Sequence, residues 1–160
     1  MRGLELFWAI DVMIGIVCGA CIIIYLVYTI TNHIYVRYKI RHLANDALTV
    51  SPKEFFKIRK SKEVGGTKHD FAGIYIIYNC SKKMHYVGQS KRVLYRVNQH
   101  FTGRGNGDVY ADYKYGDDFW IKMIALKTSG FRTLNGLERN AIKVHRAYSR
   151  GYNKTRGNRG

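Results

Sequence analysis

Gly73-Ile74-Tyr75 and Tyr86-Val87-Gly88 are two short apolar runs, each carrying a tyrosine, on either side of a polar turn. Arg96, His100, Glu138 and Asn153 follow downstream. Together they supply what hydrolysis of a phosphodiester requires: a carboxylate able to bind a metal, a cation to offset phosphate charge, and hydroxyl or imidazole groups to manage protons. Arg96 and His100 stand at i and i+4 and share a helix face, with Arg92 one turn earlier. Glu138 is an isolated acid in the basic stretch from Phe119 to the C-terminus. Each residue also has a plainer reading: strand glycines, core tyrosines, a solvated basic face, a helix-start glutamate favoured by the dipole, and a turn asparagine.

The elements that must position these residues follow from pattern. Phe71 to Asn79 is β-branched and aromatic and predicts a strand. Cys80 to Lys83 makes a turn, and Met84 to Gln89 returns as a second, antiparallel strand. Ser90 is placed to cap a helix from Lys91 to Phe101, with Leu94, Val97 and Phe101 on one face. Thr102 to Gly116 reads as a long loop rich in Gly, Asn, Asp and Tyr. Asp118 to Lys127 predicts a third strand. Leu134 to Arg150 predicts a helix with Leu137, Ala141, Val144 and Tyr148 as its buried stripe and Gly151 as its end. Upstream, Ser51-Pro52-Lys53-Glu54 carries a capping box for a helix running to about Glu63, where Gly65-Gly66 breaks it. The expected fold is a mixed α/β (α+β) domain, a small three-stranded antiparallel sheet flanked by helices, because three strands alone cannot bury both faces.

Set on those elements, the residues resemble the GIY-YIG nucleases, a family of homing endonucleases, some restriction enzymes and the incision module of bacterial nucleotide-excision repair. The resemblance covers Gly73 to Asn153, about half the chain. Val87 replaces the isoleucine of the second tripeptide, and Gln89 stands where many members carry Lys, Ser or Thr. The resemblance implies that Gly73 and Gly88 allow close backbone approach to substrate and that the hydroxyls of Tyr75 and Tyr86 line the site. One of the two tyrosines, Tyr75 in first place, takes the proton from the attacking water. A free tyrosine has a pKa of about 10, so this role needs a nearby cation. Arg96 binds the scissile phosphate, His100 hydrogen-bonds the water or a phosphate oxygen, and Glu138 binds a single Mg2+ or Mn2+. Asn153 holds the phosphate or orients Glu138. The implied activity is metal-dependent endonuclease action on DNA.

Charge and hydropathy place this domain in context. The 160 residues carry a formal net charge of +16, which favours polyanions, either nucleic acid or an anionic membrane surface. The surface expected to track DNA includes Lys91, Arg92, Arg104, Arg139, Lys143, Arg146, Lys154 and Arg156, with Lys82, Lys83, Arg132, Arg150 and Arg159 around them. Three scattered cysteines fit neither a disulfide framework nor a zinc site. Cys18 and Cys21 read as packing or lipid-facing residues, and Cys80 stands alone in a turn.

No residue from Val12 to Val36 carries a full charge, and Val12 to Ile30 matches the roughly 20 residues that span a bilayer core. Tyr25, Tyr28 and Tyr35 cluster toward one end, as interfacial aromatics do, and Phe7 and Trp8 sit near the other. Arg37, Lys39 and Arg41 follow the span and predict an outside N-terminus with the following domain in the cytoplasm. The expected organisation is a short N-terminus and transmembrane helix over 1–36, a basic juxtamembrane helical linker over 37–70, and the nuclease-like domain over 71–160. The chain ends seven residues after Asn153, so no separate specificity domain is expected. Partners are then DNA and the lipid bilayer. The other readings are a non-catalytic, membrane-tethered DNA-binding protein and a basic scaffold on the membrane surface.

Overall fold

A computed structural model describes residues 2–61 and 70–158. The expected break at Gly65-Gly66 and the cation Arg159 lie outside the described residues. The chain divides into two units, Met1–Tyr38 and Lys39–Gly160.

The first unit is helical. Helix α1 (Arg2–Asp46) has no proline and, over most of its length, no charge to interrupt it. Its most apolar window has a mean hydropathy of 2.6, and none of that window is buried. Trp8 and Ile24 are 74% and 67% exposed. A helix that is apolar all round and exposed is suited to lipid, and this one is long and apolar enough to cross a membrane.

The second unit is built on an antiparallel sheet. After the end of α1 come β1 (Thr49–Val50), α2 (Pro52–Lys60), β2 (Gly73–Asn79), β3 (Met84–Ser90), α3 (Val93–Phe101), α4 (Gly107–Lys114), β4 (Phe119–Ala125), α5 (Leu126–Ser129) and α6 (Leu134–Val144). Among the described residues the strand order is β1-β4-β2-β3. The three expected strands form the body of the sheet, and β1 adds a two-residue fourth strand outside β4. Alternation along β2 divides the core. Tyr75 and Ile77 face a cluster with Phe55 of α2, Val93, Val97 and Phe101 of α3, and Val109 of α4. Ile74 and Ile76 face Ile40 and Ala44 at the end of α1 and Leu137, Ala141 and Ile142 of α6.

Local chemistry explains most element ends. Ser51 and Glu54 close the expected capping box, with the Ser51 N–H donating to Glu54 at 2.7 Å and the Glu54 N–H donating to the Ser51 hydroxyl at 3.3 Å. Helix α3 is capped from afar. The expected cap, Ser90, accepts the Arg92 N–H, while the Asp70 carboxylate accepts the N–H groups of Leu94 at 2.7 Å and Tyr95 at 3.0 Å. The stretch expected as a long loop contains α4, because Asn106 accepts the Val109 N–H at 3.0 Å and so nucleates a helix. Helix α6 starts at Thr133 as a cap but stops at Val144, since Arg146 turns into the left-handed region with a φ of 52°. Tyr148 therefore leaves the buried stripe and is 44% exposed.

Candidate active site

The hairpin β2–β3 sets the two tyrosines. Tyr75 pairs directly across from Gly88, and a Cβ at position 88 would collide with the Tyr75 hydroxyl and ring. A Cβ at Gly73 would collide with the Ile124 carbonyl on β4. The close approach expected at both glycines thus serves the protein itself: one makes room for a tyrosine, the other for a neighbouring strand.

Tyr75, Tyr86 and His100 form a triangle of rings with centroids 6.1, 5.3 and 4.8 Å apart. The loop after α3 wraps His100. The Asn106 N–H donates to Nδ1 at 2.8 Å, and Gly105 packs against the ring. With Nδ1 accepting, the neutral imidazole carries its proton on Nε2, which faces the Tyr75 hydroxyl at 3.0 Å. His100 is fully buried, and burial, reinforced by Arg96, pushes its pKa down to about 3. It is neutral at physiological pH, with both nitrogens engaged. The contact with water or phosphate expected of it is therefore closed off in this arrangement.

The two tyrosines differ in access. Tyr75 is 1% exposed, and burial, then Tyr86, drives its phenol far above the ordinary value against the pull of Arg96. Tyr86 is only half-buried, and its phenol is also raised, by burial first, while Arg96 and the Tyr75 hydroxyl pull it down. Arg96 is half-buried and donates to Gln99 at 2.6 Å from one guanidinium nitrogen. Three of the expected residues, Tyr75, Tyr86 and His100, are thus in contact, and Arg96 acts electrostatically on all of them.

Glu138 arrives from α6 and is 8% exposed. Gln89 Nε2 donates to it at 3.0 Å and to Asn135 at 2.5 Å. Burial raises the Glu138 carboxyl above the usual range, while main-chain donors of Asn158 and Gln89 and the Gln89 side chain hold it down. Glu138 also acts on the Tyr86 phenol, raising it. Gln89, noted in the sequence only as a departure from the family pattern, is the unforeseen partner of Glu138. Its signal was alternation: two positions after Val87, it points to the side that α6 covers.

Asn153 is committed elsewhere. Its side chain accepts the Val87 N–H at 2.9 Å and donates to the Val87 carbonyl at 2.7 Å. Beside it the Tyr152 N–H donates to the His85 carbonyl at 2.9 Å. The side chain thus makes a two-point grip on β3. Asn153→Ala would leave both Val87 groups unpaired and should cost about 2–3 kcal/mol of stability. Asn153→Asp keeps the acceptor for the Val87 N–H but sets a carboxylate oxygen against the Val87 carbonyl, so it should also destabilise. Denaturant unfolding followed by circular dichroism measures both.

The eight cations expected to track DNA are all exposed. Arg139, Lys143, Arg146 and Arg156 line one groove of about 510 Å3, with Arg156 over the Tyr148 ring at 5.4 Å. Lys154 is held by Asp108 at 2.6 Å, and Arg92 lies 3.8 Å from Asp70, while Lys91 and Arg104 stand at the two ends of α3.

A tyrosine pair on a glycine-spaced hairpin, an arginine on the next helix and a buried glutamate on a later one define a nuclease-type site. The family model for the GIY-YIG catalytic domain matches residues 71–153, more than half of the chain, and the protein belongs to the GIY-YIG family. Comparisons with curated proteins and with solved structures gave no match.

Proposed function

We propose that this protein is a metal-dependent endonuclease that hydrolyses DNA phosphodiester bonds. The triangle of Tyr75, Tyr86 and His100, polarised by Arg96 on the GIY-YIG frame, carries this reading. Tyr86 is the better general base, because its hydroxyl belongs to the half-buried ring while that of Tyr75 is sealed against His100. Arg96 lowers the cost of phenolate at Tyr86 and binds the phosphate. His100 and Tyr75 position Tyr86 rather than touch substrate.

Glu138 fits a hard divalent ion. Among the described residues no three His, Cys, Asp or Glu side chains are grouped as a metal cage. Mg2+ often binds through one or two carboxylates together with waters and substrate phosphates, and Mn2+ suits the same ligands. Glu138 would hold the ion and Gln89 would fix the carboxylate in place. When bound, such an ion offsets charge on the phosphate and the departing oxygen.

The exposed apolar surface of α1 supports membrane anchoring, and Arg37, Lys39 and Arg41 support a cytoplasmic nuclease domain with the N-terminus outside. A nuclease so placed would meet DNA as it enters the cell, which suggests defence against phage or plasmid DNA. Full-length protein in detergent should cut plasmid or single-stranded DNA with Mg2+ or Mn2+ and stop when the metal is chelated. Salt-sensitive binding with no cleavage under either ion would replace this reading with that of a non-catalytic tether.

A further inference from the structure

The sheet face turned away from Tyr75 and Tyr86 carries a second, separate set of rings. Tyr78 pairs across the sheet with His85 on β3 and with Trp120 on β4, which makes a row of three aromatic side chains on three adjacent strands. His145, just past α6, extends the row. Its ring lies 4.9 Å from that of His85, which in turn lies 4.5 Å from Tyr78. All four line one cavity of about 290 Å3, which Ala44, Asn45 and Thr49 also line. None of these residues belongs to the site around Glu138.

Three observations bear on what this cavity takes. Trp120 is 45% exposed and lines the cavity, so nearly half of its surface is open to a partner. The His145 Nε2 is buried with no hydrogen-bond partner, an unfavourable state within a residue that lines the cavity. His85 and His145 are kept neutral, by burial first, and Lys122 beside them already donates to the Ala44 carbonyl at 2.7 Å. Neutral rings with an unpaired nitrogen suit a flat heteroaromatic group with hydrogen-bonding edges better than they suit a phosphate. Such groups are presented by unpaired strands, whose bases stack on aromatic side chains while their backbone seeks cations. A chain of net charge +16 supplies those cations.

We propose that the cavity of Tyr78, His85, Trp120 and His145 binds an unpaired base of a single-stranded nucleic acid. Paired bases are excluded, because their faces are stacked and their edges engaged.

The test uses full-length protein in detergent, carrying Glu138→Gln, with divalent ions chelated so that binding is read without cleavage. Trp8→Phe leaves Trp120 as the single tryptophan. A short oligodeoxythymidylate should quench Trp120 emission at concentrations where a duplex hairpin does not. Anisotropy of the labelled oligonucleotide should show about tenfold weaker binding for His85→Ala and for Trp120→Ala, with duplex binding unchanged. Trp120 is exposed enough for its replacement to spare the fold. The proposal is overturned if the oligonucleotide binds without quenching, if duplex quenches equally, or if only a free deoxynucleoside monophosphate quenches. Because the readout is binding, the proposal and the nuclease reading can fail separately.

Discussion

Glu138→Gln should bind DNA as the parent protein does and cleave it about a thousandfold more slowly, a loss of about 4 kcal/mol in transition-state stabilisation. The carboxamide keeps the size of the side chain and can still accept from Gln89, so the packing of α6 on β3 survives. It removes the negative charge that a divalent ion needs. Single-turnover cleavage beside anisotropy on the same DNA separates the two quantities. Equal cleavage by the two proteins would remove Glu138 from the chemistry. A matched loss of binding would make it a structural residue. Gln89→Ala should give a milder defect of the same kind, recovered in part by raising the metal concentration.

The second large effect separates the tyrosines. Tyr86→Phe should lower the cleavage rate by about 100- to 10,000-fold, the range that a general base contributes. The Tyr86 pKa is raised, so at neutral pH the phenol holds its proton, and a base must lose it. The parent rate should therefore climb about tenfold per pH unit on the acid side of that pKa, and Tyr86→Phe should flatten the slope. Tyr75→Phe should keep the slope. Its main cost should be about 1–3 kcal/mol of stability, because it strands the buried His100 Nε2 proton. The reverse pattern, a flat profile for Tyr75→Phe and a sloped one for Tyr86→Phe, would transfer the base to Tyr75.

What could be read from the residues alone, and what could not, divides along physical lines. The hairpin was legible because its signal is local: a β-branched and aromatic run on either side of a short polar turn marks two antiparallel strands. Helix α2 was legible for the same reason, since Ser51 and Glu54 are three residues apart. The cap on α3 was not, because Asp70 reaches it across the sequence and leaves no local mark. Helix α4 was hidden by composition, and β1 is too short to show a period. The residue types of the site were legible and their division of labour was not. Tyr75 and Tyr86 look equivalent in sequence, and only the packing of α3 and the loop around His100 seals one and leaves the other half open. The pairing of Asn153 was hidden for a similar reason: an amide after a helix reads as a turn or a ligand, while its two-point pairing with Val87 exists only once the chain has folded back.

That fold-back decides how the domain can meet its own kind. Strand β3 ends the sheet, and such a strand normally offers its open main-chain groups as a template for a strand from another copy. Here Tyr152 and Asn153 occupy the His85 carbonyl and both main-chain groups of Val87. A strand from another copy would meet those rungs already taken, so the segment that follows α6 shields this part of the strand bearing Tyr86 from edge-to-edge pairing.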